Sequence, residues 1–414
     1  MTHAPTCRAC GDATVTPCLS LGQSPIANAF LRQEDLGKEE LFFPLELGFC
    51  ERCLMAQLVH TVDRDKLFHK SYAYYSSISK AMTEHFRCFA EDLTKEFLTG
   101  DQPLVVELGS NDGILLQAFD QARVRVLGVE PSANVAAVAR EKGLETIVAF
   151  FNESLAEDIR REKGPASAVL GANVICHIPD LNELLRGVDR LLDDDGVFVF
   201  EDPSLAEILR GNAYDQIYDE HVYYFSVTSL DRLARRHGMH VFHVAPQPTH
   251  GGSNRIFVAR QSSKHTVRAS VAGALAAEEG LGLKTLEAYQ AFAQRVEQSK
   301  RDLLGLLGEL KTAGKRVVGY AASSKGNVVL NYCQIGPDTL EYIADNTPTK
   351  QGLYSPGMHI PIVAPDVFHE DYPDYALLLA WNHAKEIARK ETAFHEAGGR
   401  FITHIPSVRV LEQP

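Results

Sequence analysis

No apolar run in this chain is long enough to cross a bilayer, which argues against a helical membrane span. Basic residues are in deficit, with Lys and Arg numbering 41 against 54 Asp and Glu. The net charge of −13 counts against a general affinity for nucleic-acid phosphates or anionic lipid, and no nucleic-acid or membrane partner is expected. A local basic pocket for a small phosphorylated ligand remains compatible with it. The opening residues Met1 to Pro5 lack the basic and apolar regions of a signal peptide, so a cytoplasmic location is the default expectation. The eight cysteines do not suggest a disulfide framework in a chain of this size. Also missing are a clear internal repeat, a nucleophile elbow and a G-x-G-x-x-G pyrophosphate fingerprint.

What is present points to a globular protein of two or three domains. The chain has 414 residues, 45% hydrophobic and 23% charged. Residues 1–68 are broken by Pro17, Pro25 and Pro44 and have a small core, so they need a metal or a docking surface. Residues 69–262 alternate strand-like runs, such as Leu104–Val106 and Val124–Val129, with helical patterns at Ser132–Lys142 and Leu181–Leu192. This implies βαβ units and a mostly parallel sheet. Residues 263–414 begin with one long or two shorter helices and continue into a second, smaller alternating series.

Four cysteines form two C-x-x-C pairs, Cys7 with Cys10 and Cys50 with Cys53. Two such turns can complete a tetrahedron of thiolates, and four protein ligands leave no open position, so the expectation is structural zinc. Reduced uncoordinated cysteines and a redox dithiol are the competing readings.

The run Glu107-Leu108-Gly109-Ser110-Asn111-Asp112-Gly113 follows one strand candidate and precedes Ile114–Leu116, a helix-start candidate. The next strand ends at Glu130, where a carboxylate can accept from both hydroxyls of a ribose. An acidic entry to the turn suits a cationic ligand without phosphate, such as S-adenosylmethionine, better than a dinucleotide. A strand–turn–helix without a ligand is the plainer reading.

The densest chemistry lies in Tyr218-Asp219-Glu220-His221-Val222-Tyr223-Tyr224. The runs Phe200-Glu201-Asp202-Pro203 and Asn173 to Pro179, the latter with His177, lie where an open sheet delivers residues to its ligand crevice, so His177, Tyr218, Glu220 and His221 could converge there. Histidine suits a general base and a neighbouring carboxylate can tune it. Each residue alone would more often be structural; the cluster together points to acid–base catalysis. Cys176 beside His177 is read as a buried neighbour. Tyr72 and Ser76, in the run Ser71 to Ser77, could give a lid or substrate hydroxyl contacts, or form an interdomain joint. Ser324 and Lys325 open a helix after Ser323, an arrangement shared by phosphate sites and ordinary capped helices.

These motifs, in this order, resemble the sugar-nucleotide C-methyltransferases of deoxysugar biosynthesis that carry an N-terminal zinc module. The likeness includes both cysteine pairs, ELGSNDG, NVICHIP, FEDP, YDEHVYYFS, THGG, GYAASSKG and LLLAWNHAKEI, nearly the whole chain. It is nearest to the 3-C-methyltransferases acting on thymidine-diphosphate 4-keto-deoxyhexoses. The resemblance implies an α/β protein with a zinc-binding module, a central class I (Rossmann-like) S-adenosylmethionine-dependent methyltransferase domain and a smaller C-terminal Rossmann-like domain meeting the nucleotide sugar. It implies that Tyr72, His177, Tyr218, Glu220 and His221 line the sugar pocket, with His221 as base. It places Ser324 and Lys325 at the nucleotide. Glu107, Gly109, Asn111, Asp112, Glu130 and Asn173 are the candidate cofactor residues. Gly251 to Arg255 and Ala322 to Gly326 depart from the family pattern, which bears on the substrate accepted. Methylation at C5, a nicotinamide-dependent sugar oxidoreductase and a zinc-bearing binding protein are the alternatives, and a monomer is expected.

Overall fold

The computed structural model describes residues 5–12, 15–63, 67 and 80–412. The first sheet begins with β1 (Val15–Pro25), β2 (Phe42–Cys50) and β3 (Ala56–Leu58), paired antiparallel. The helix Lys80–Phe97 then leads to the second sheet. That sheet holds β4 (Leu104–Leu108), β5 (Arg125–Val129), β6 (Thr146–Ile147), β7 (Ala166–Ala172) and β8 (Leu192–Pro203). All five are parallel, in the order β6-β5-β4-β7-β8. These strands are buried almost throughout, as a parallel sheet covered on both faces requires.

The short strand β9 (Tyr223–Tyr224) leaves this body and pairs with β3. The polar seven-residue run is thus carried on a connection stitched to the zinc module. β10 (Met239–Gln247) and β11 (Ser253–Arg260) complete the second sheet, β11 antiparallel to β8. The strand order reverses between β4 and β7, which opens a crevice at their carboxyl ends.

Helices Ala269–Gly280 and Leu286–Thr312 follow, so the open choice between one helix and two resolves to two. Glu278, buried at the end of the first, accepts from the amides of Val227 and Thr228 and caps the helix Val227–Arg236. The third sheet comprises β12 (Val317–Tyr320), β13 (Ile343–Ala344), β14 (Ile362–Val363), β15 (Tyr375–Leu378), β16 (Arg400–Thr403) and β17 (Arg409–Val410). It is parallel but for β17, and its order reverses between β12 and β15. The helix Ser324–Cys333 starts at that reversal.

The helix expected at Ile114–Leu116 does not form; a single 3-10 turn, Leu116–Ala118, stands there. Ile114, Leu115 and Leu116 are all buried, and three consecutive core residues cannot share one face of an α-helix. No helix of the described residues is long and apolar enough to cross a membrane.

Candidate active site

The four paired cysteines converge. Cys7 Sγ lies 3.6 Å from Cys53 Sγ and Cys10 Sγ 3.7 Å from Cys50 Sγ, with all four within 4.8 Å of one another. Thiolates about 2.3 Å from a central zinc sit at tetrahedron edges of about 3.8 Å, so the donor set fits the ion. Gln57 Nε2 donates to Cys7 Sγ at 3.1 Å and orients that sulfur toward the other three.

One cavity of about 340 Å³ gathers most of the other candidates. Gly109, Asn111, Glu130 and Asn173 line one side, His177, Tyr218, Glu220 and His221 another, and Ser324 and Lys325 a third. Glu107 and Asp112 are not among the lining residues. Both are buried behind the turn, where Lys142 reaches Asp112 at 3.4 Å. Tyr72 and Ser76 lie outside the described residues.

On the first side, Gly109 has φ of 63°, and a Cβ there would stand 2.4 Å from Val174 Cγ2. The turn therefore brings bare backbone to the cavity wall. Glu130 accepts from the amides of Asn111 at 3.0 Å and Ser132 at 2.7 Å, which fixes the carboxylate and leaves each oxygen a further lone pair. Burial, then the charges of Glu130 and Asp112, raises Glu107 well above the usual carboxyl range. Of the three carboxyls around this turn, Glu130 is the one that lines the cavity. Asn173 Oδ1, on a lining residue, has no hydrogen-bond partner among the described residues.

On the second side, the ring of His221 lies 4.2 Å from that of Tyr218 and 5.1 Å from that of His177, centroid to centroid. His221 is buried, and its Nε2 has no hydrogen-bond partner among the described residues. Burial, followed by His177, Lys325 and His250, drives His221 well below its ordinary pKa. Burial also lowers His177, to about 4. Both imidazoles are thus neutral at pH 7. Cys176, His177 and His221 bring three ligand-type atoms within 4.8 Å of one another, a grouping that sequence reading passed over. Burial, then Asp202, pushes the Cys176 thiol well up, so it stands as a neutral neighbour.

On the third side, Ser323 Oγ accepts from the Gly326 amide at 3.0 Å and caps the helix that presents Ser324 and Lys325. Lys325 Nζ is buried without a hydrogen-bond partner among the described residues and lies 6.0 Å from the Trp381 ring centroid. A buried cation on a cavity wall is suited to an anionic ligand.

Sequence reading missed Asn28, His250 and Lys350 among the lining residues, and had Glu201 only as part of a strand end at the crevice, with no role. Glu201 accepts from Arg255 Nε at 3.0 Å and Thr249 Oγ1 at 3.2 Å and pairs with His85 Nε2 at 2.6 Å. FEDP and THGG were visible as motifs, yet nothing in their spacing gave this contact.

Three family models divide the chain: a zinc binding domain over residues 7–68, a methyltransferase domain over 82–244 and a C-methyltransferase C-terminal domain over 248–406. The chain is 40% identical over 405 residues to C-methyltransferase NovU of Streptomyces niveus, covering 98% of this chain and 96% of that protein. The chain belongs to the C-methyltransferase family.

Solved structures give more distant likenesses. Magnesium protoporphyrin IX methyltransferase of Synechocystis is 14% identical, with a TM-score of 0.31, covering 44% of this chain and 79% of that one. An S-adenosylmethionine-dependent methyltransferase of Clostridium acetobutylicum is 11% identical, with a TM-score of 0.33, covering 43% and 92%. S-adenosylmethionine and zinc, expected as cofactors from the sequence, are those of this C-methyltransferase: a methyltransferase domain over the second sheet and a zinc domain around the four cysteines.

Proposed function

We propose that this C-methyltransferase acts on a thymidine-diphosphate 4-keto-deoxyhexose and methylates C3 through an enolate. The observation that carries the reading is His221: a buried neutral imidazole packed against Tyr218 and His177 on the cavity wall, its Nε2 unengaged among the described residues. Such a nitrogen suits abstraction of the proton beside a ketone.

His221 Nε2 takes the C3 proton, and the electron pair moves onto the C4 oxygen. His177 or Tyr218, on the same wall, donates a hydrogen bond to that oxygen; Tyr72 is the further candidate from the sequence. Glu220, on the cavity wall, holds a sugar hydroxyl. Ser324 and Lys325 take the diphosphate. Gly109, Asn111, Glu130 and Asn173 bind the methyl donor, with Glu107 and Asp112 shaping the turn from behind. When bound, S-adenosylmethionine supplies an electrophilic methyl group for the enolate carbon.

Methylation at C5 is a second reading within the same chemistry, because either carbon beside a suitable carbonyl can lose a proton. The test is incubation with thymidine-diphosphate 4-keto-deoxysugars in deuterated water, with and without S-adenosylmethionine. Loss of one ring proton, with a methyl gained only when the donor is present, supports the enolate and identifies the carbon. His221→Ala should keep donor binding and lose turnover by about a hundredfold or more. A variant with full activity would remove His221 as the base.

A further inference from the structure

The zinc module reaches the active site through one short segment, residues 27–31. Ala27 is clasped from both sides: its amide donates to Asp219 Oδ1 at 3.0 Å, and its carbonyl accepts from Asn327 Nδ2 at 2.7 Å. Both partners are buried, Asp219 within the Tyr218–Tyr224 run and Asn327 on the helix that presents Lys325. Leu31 exchanges two backbone hydrogen bonds with Tyr354, at 3.0 and 2.8 Å. Between these anchors Asn28 lines the cavity, and its Nδ2 donates to Glu220 Oε1 at 2.7 Å.

We propose that Asn28 is a positioning residue for Glu220, so that the zinc module completes the active site as well as bracing the fold. Resting on the sugar-methylation reading, this assigns Asn28 the task of fixing the Glu220 carboxylate where it meets the substrate. Glu220 is 4% exposed and follows a residue whose own carboxylate is tied to Ala27. A buried carboxylate keeps one orientation only while a donor holds it, and a primary amide donates without adding charge. Asp at position 28 would set two carboxylates against each other, and Ala would leave Glu220 Oε1 without this donor.

The test uses full-length, zinc-loaded protein in the deuterium-exchange and methyl-transfer assays on thymidine-diphosphate 4-keto-deoxysugars. Asn28→Ala should lower kcat about ten- to a hundredfold, with zinc content and S-adenosylmethionine affinity unchanged. Asn28→Asp should lower it further. In a Glu220→Gln background, Asn28→Ala should add little, because the two residues act as one unit.

Wild-type kcat in Asn28→Ala overturns the proposal, as does an undiminished extra loss in the Glu220→Gln background. Loss of zinc or of donor affinity in Asn28→Ala overturns it in favour of a purely structural contact. A wild-type enzyme that neither exchanges a ring proton nor methylates these sugars overturns the functional reading itself, which separates the two failures.

Discussion

His177 shows how burial converts an ordinary imidazole into a pH-sensitive stability element. Its pKa is lowered from 6.5 to about 4 by burial, so the folded state prefers the neutral ring. The unfolded chain takes up the proton near 6.5, so the stability this creates is present above that pH. It is lost as pH falls toward the folded value. At about 1.4 kcal/mol per unit, the loss approaches about 3 kcal/mol once pH is below both values. The stability of wild type relative to His177→Asn should therefore shrink by roughly that amount between pH 7 and pH 4, read by urea titration at each pH. A difference independent of pH would show that the ring does not titrate in this way. The residues singled out by sequence were those whose polarity is conspicuous at short range, such as Glu220 and His221. Asn28 escaped because it is an ordinary loop asparagine until a partner 192 positions away arrives.

At the scale of elements, the first sheet depends on the two cysteine hairpins. The second pair is borne by the end of β2 and the turn that follows it. Arg8 ties the first hairpin to β3 by donating to the carbonyls of Leu58 at 2.6 Å and Val59 at 3.1 Å. Leu19, Leu45, Leu47 and Phe49 pack into a core shared with the helix Leu286–Thr312, and metal binding adds folding free energy to this docked sheet. Purified protein should hold one zinc per chain by mass spectrometry. Cys50→Ser should lose it, lower the melting temperature by several degrees and reduce turnover, because β1 leads directly into the segment that carries Asn28. Full zinc content with unchanged melting would disprove a four-thiolate site. β4 and β5 were legible as the apolar runs Leu104–Val106 and Val124–Val129, since burial on both faces leaves no alternation to misread, whereas β6 and β10 were not singled out. The missing helix at Ile114–Leu116 was not legible, because a short apolar run looks alike whether it belongs to a helix or a buried turn.

Across the whole molecule, Asp215 ties the segment before the Tyr218–Tyr224 run to the third sheet, beside a shared apolar core. Asp215 Oδ2 accepts from Trp381 Nε1 at 2.6 Å and pairs with His404 Nε2 at 3.2 Å, with Asp215 and His404 fully buried. Trp381 also packs where a side chain at Gly251 would collide with it, at 2.2 Å from a Cβ. Asp215→Ala would strand two donors in the interior at a cost of roughly 2–4 kcal/mol. Scanning calorimetry should show a lower melting temperature, with the third sheet unfolding as a separate earlier transition. An unchanged single transition would mean that the joint is held elsewhere.

The sequence by itself determined the local matters: paired thiolates for zinc, buried strands, a glycine turn before an acidic strand end, and a dense acid–base run. Each follows from spacing within a few residues, where chain geometry leaves little freedom. Only the tertiary structure decided which groups share the cavity and that the zinc module enters it through Asn28. Those outcomes depend on burial and on contacts between chain segments far apart in sequence. A side chain's titration and orientation are set by what surrounds it in space, and spacing along the chain carries no record of that.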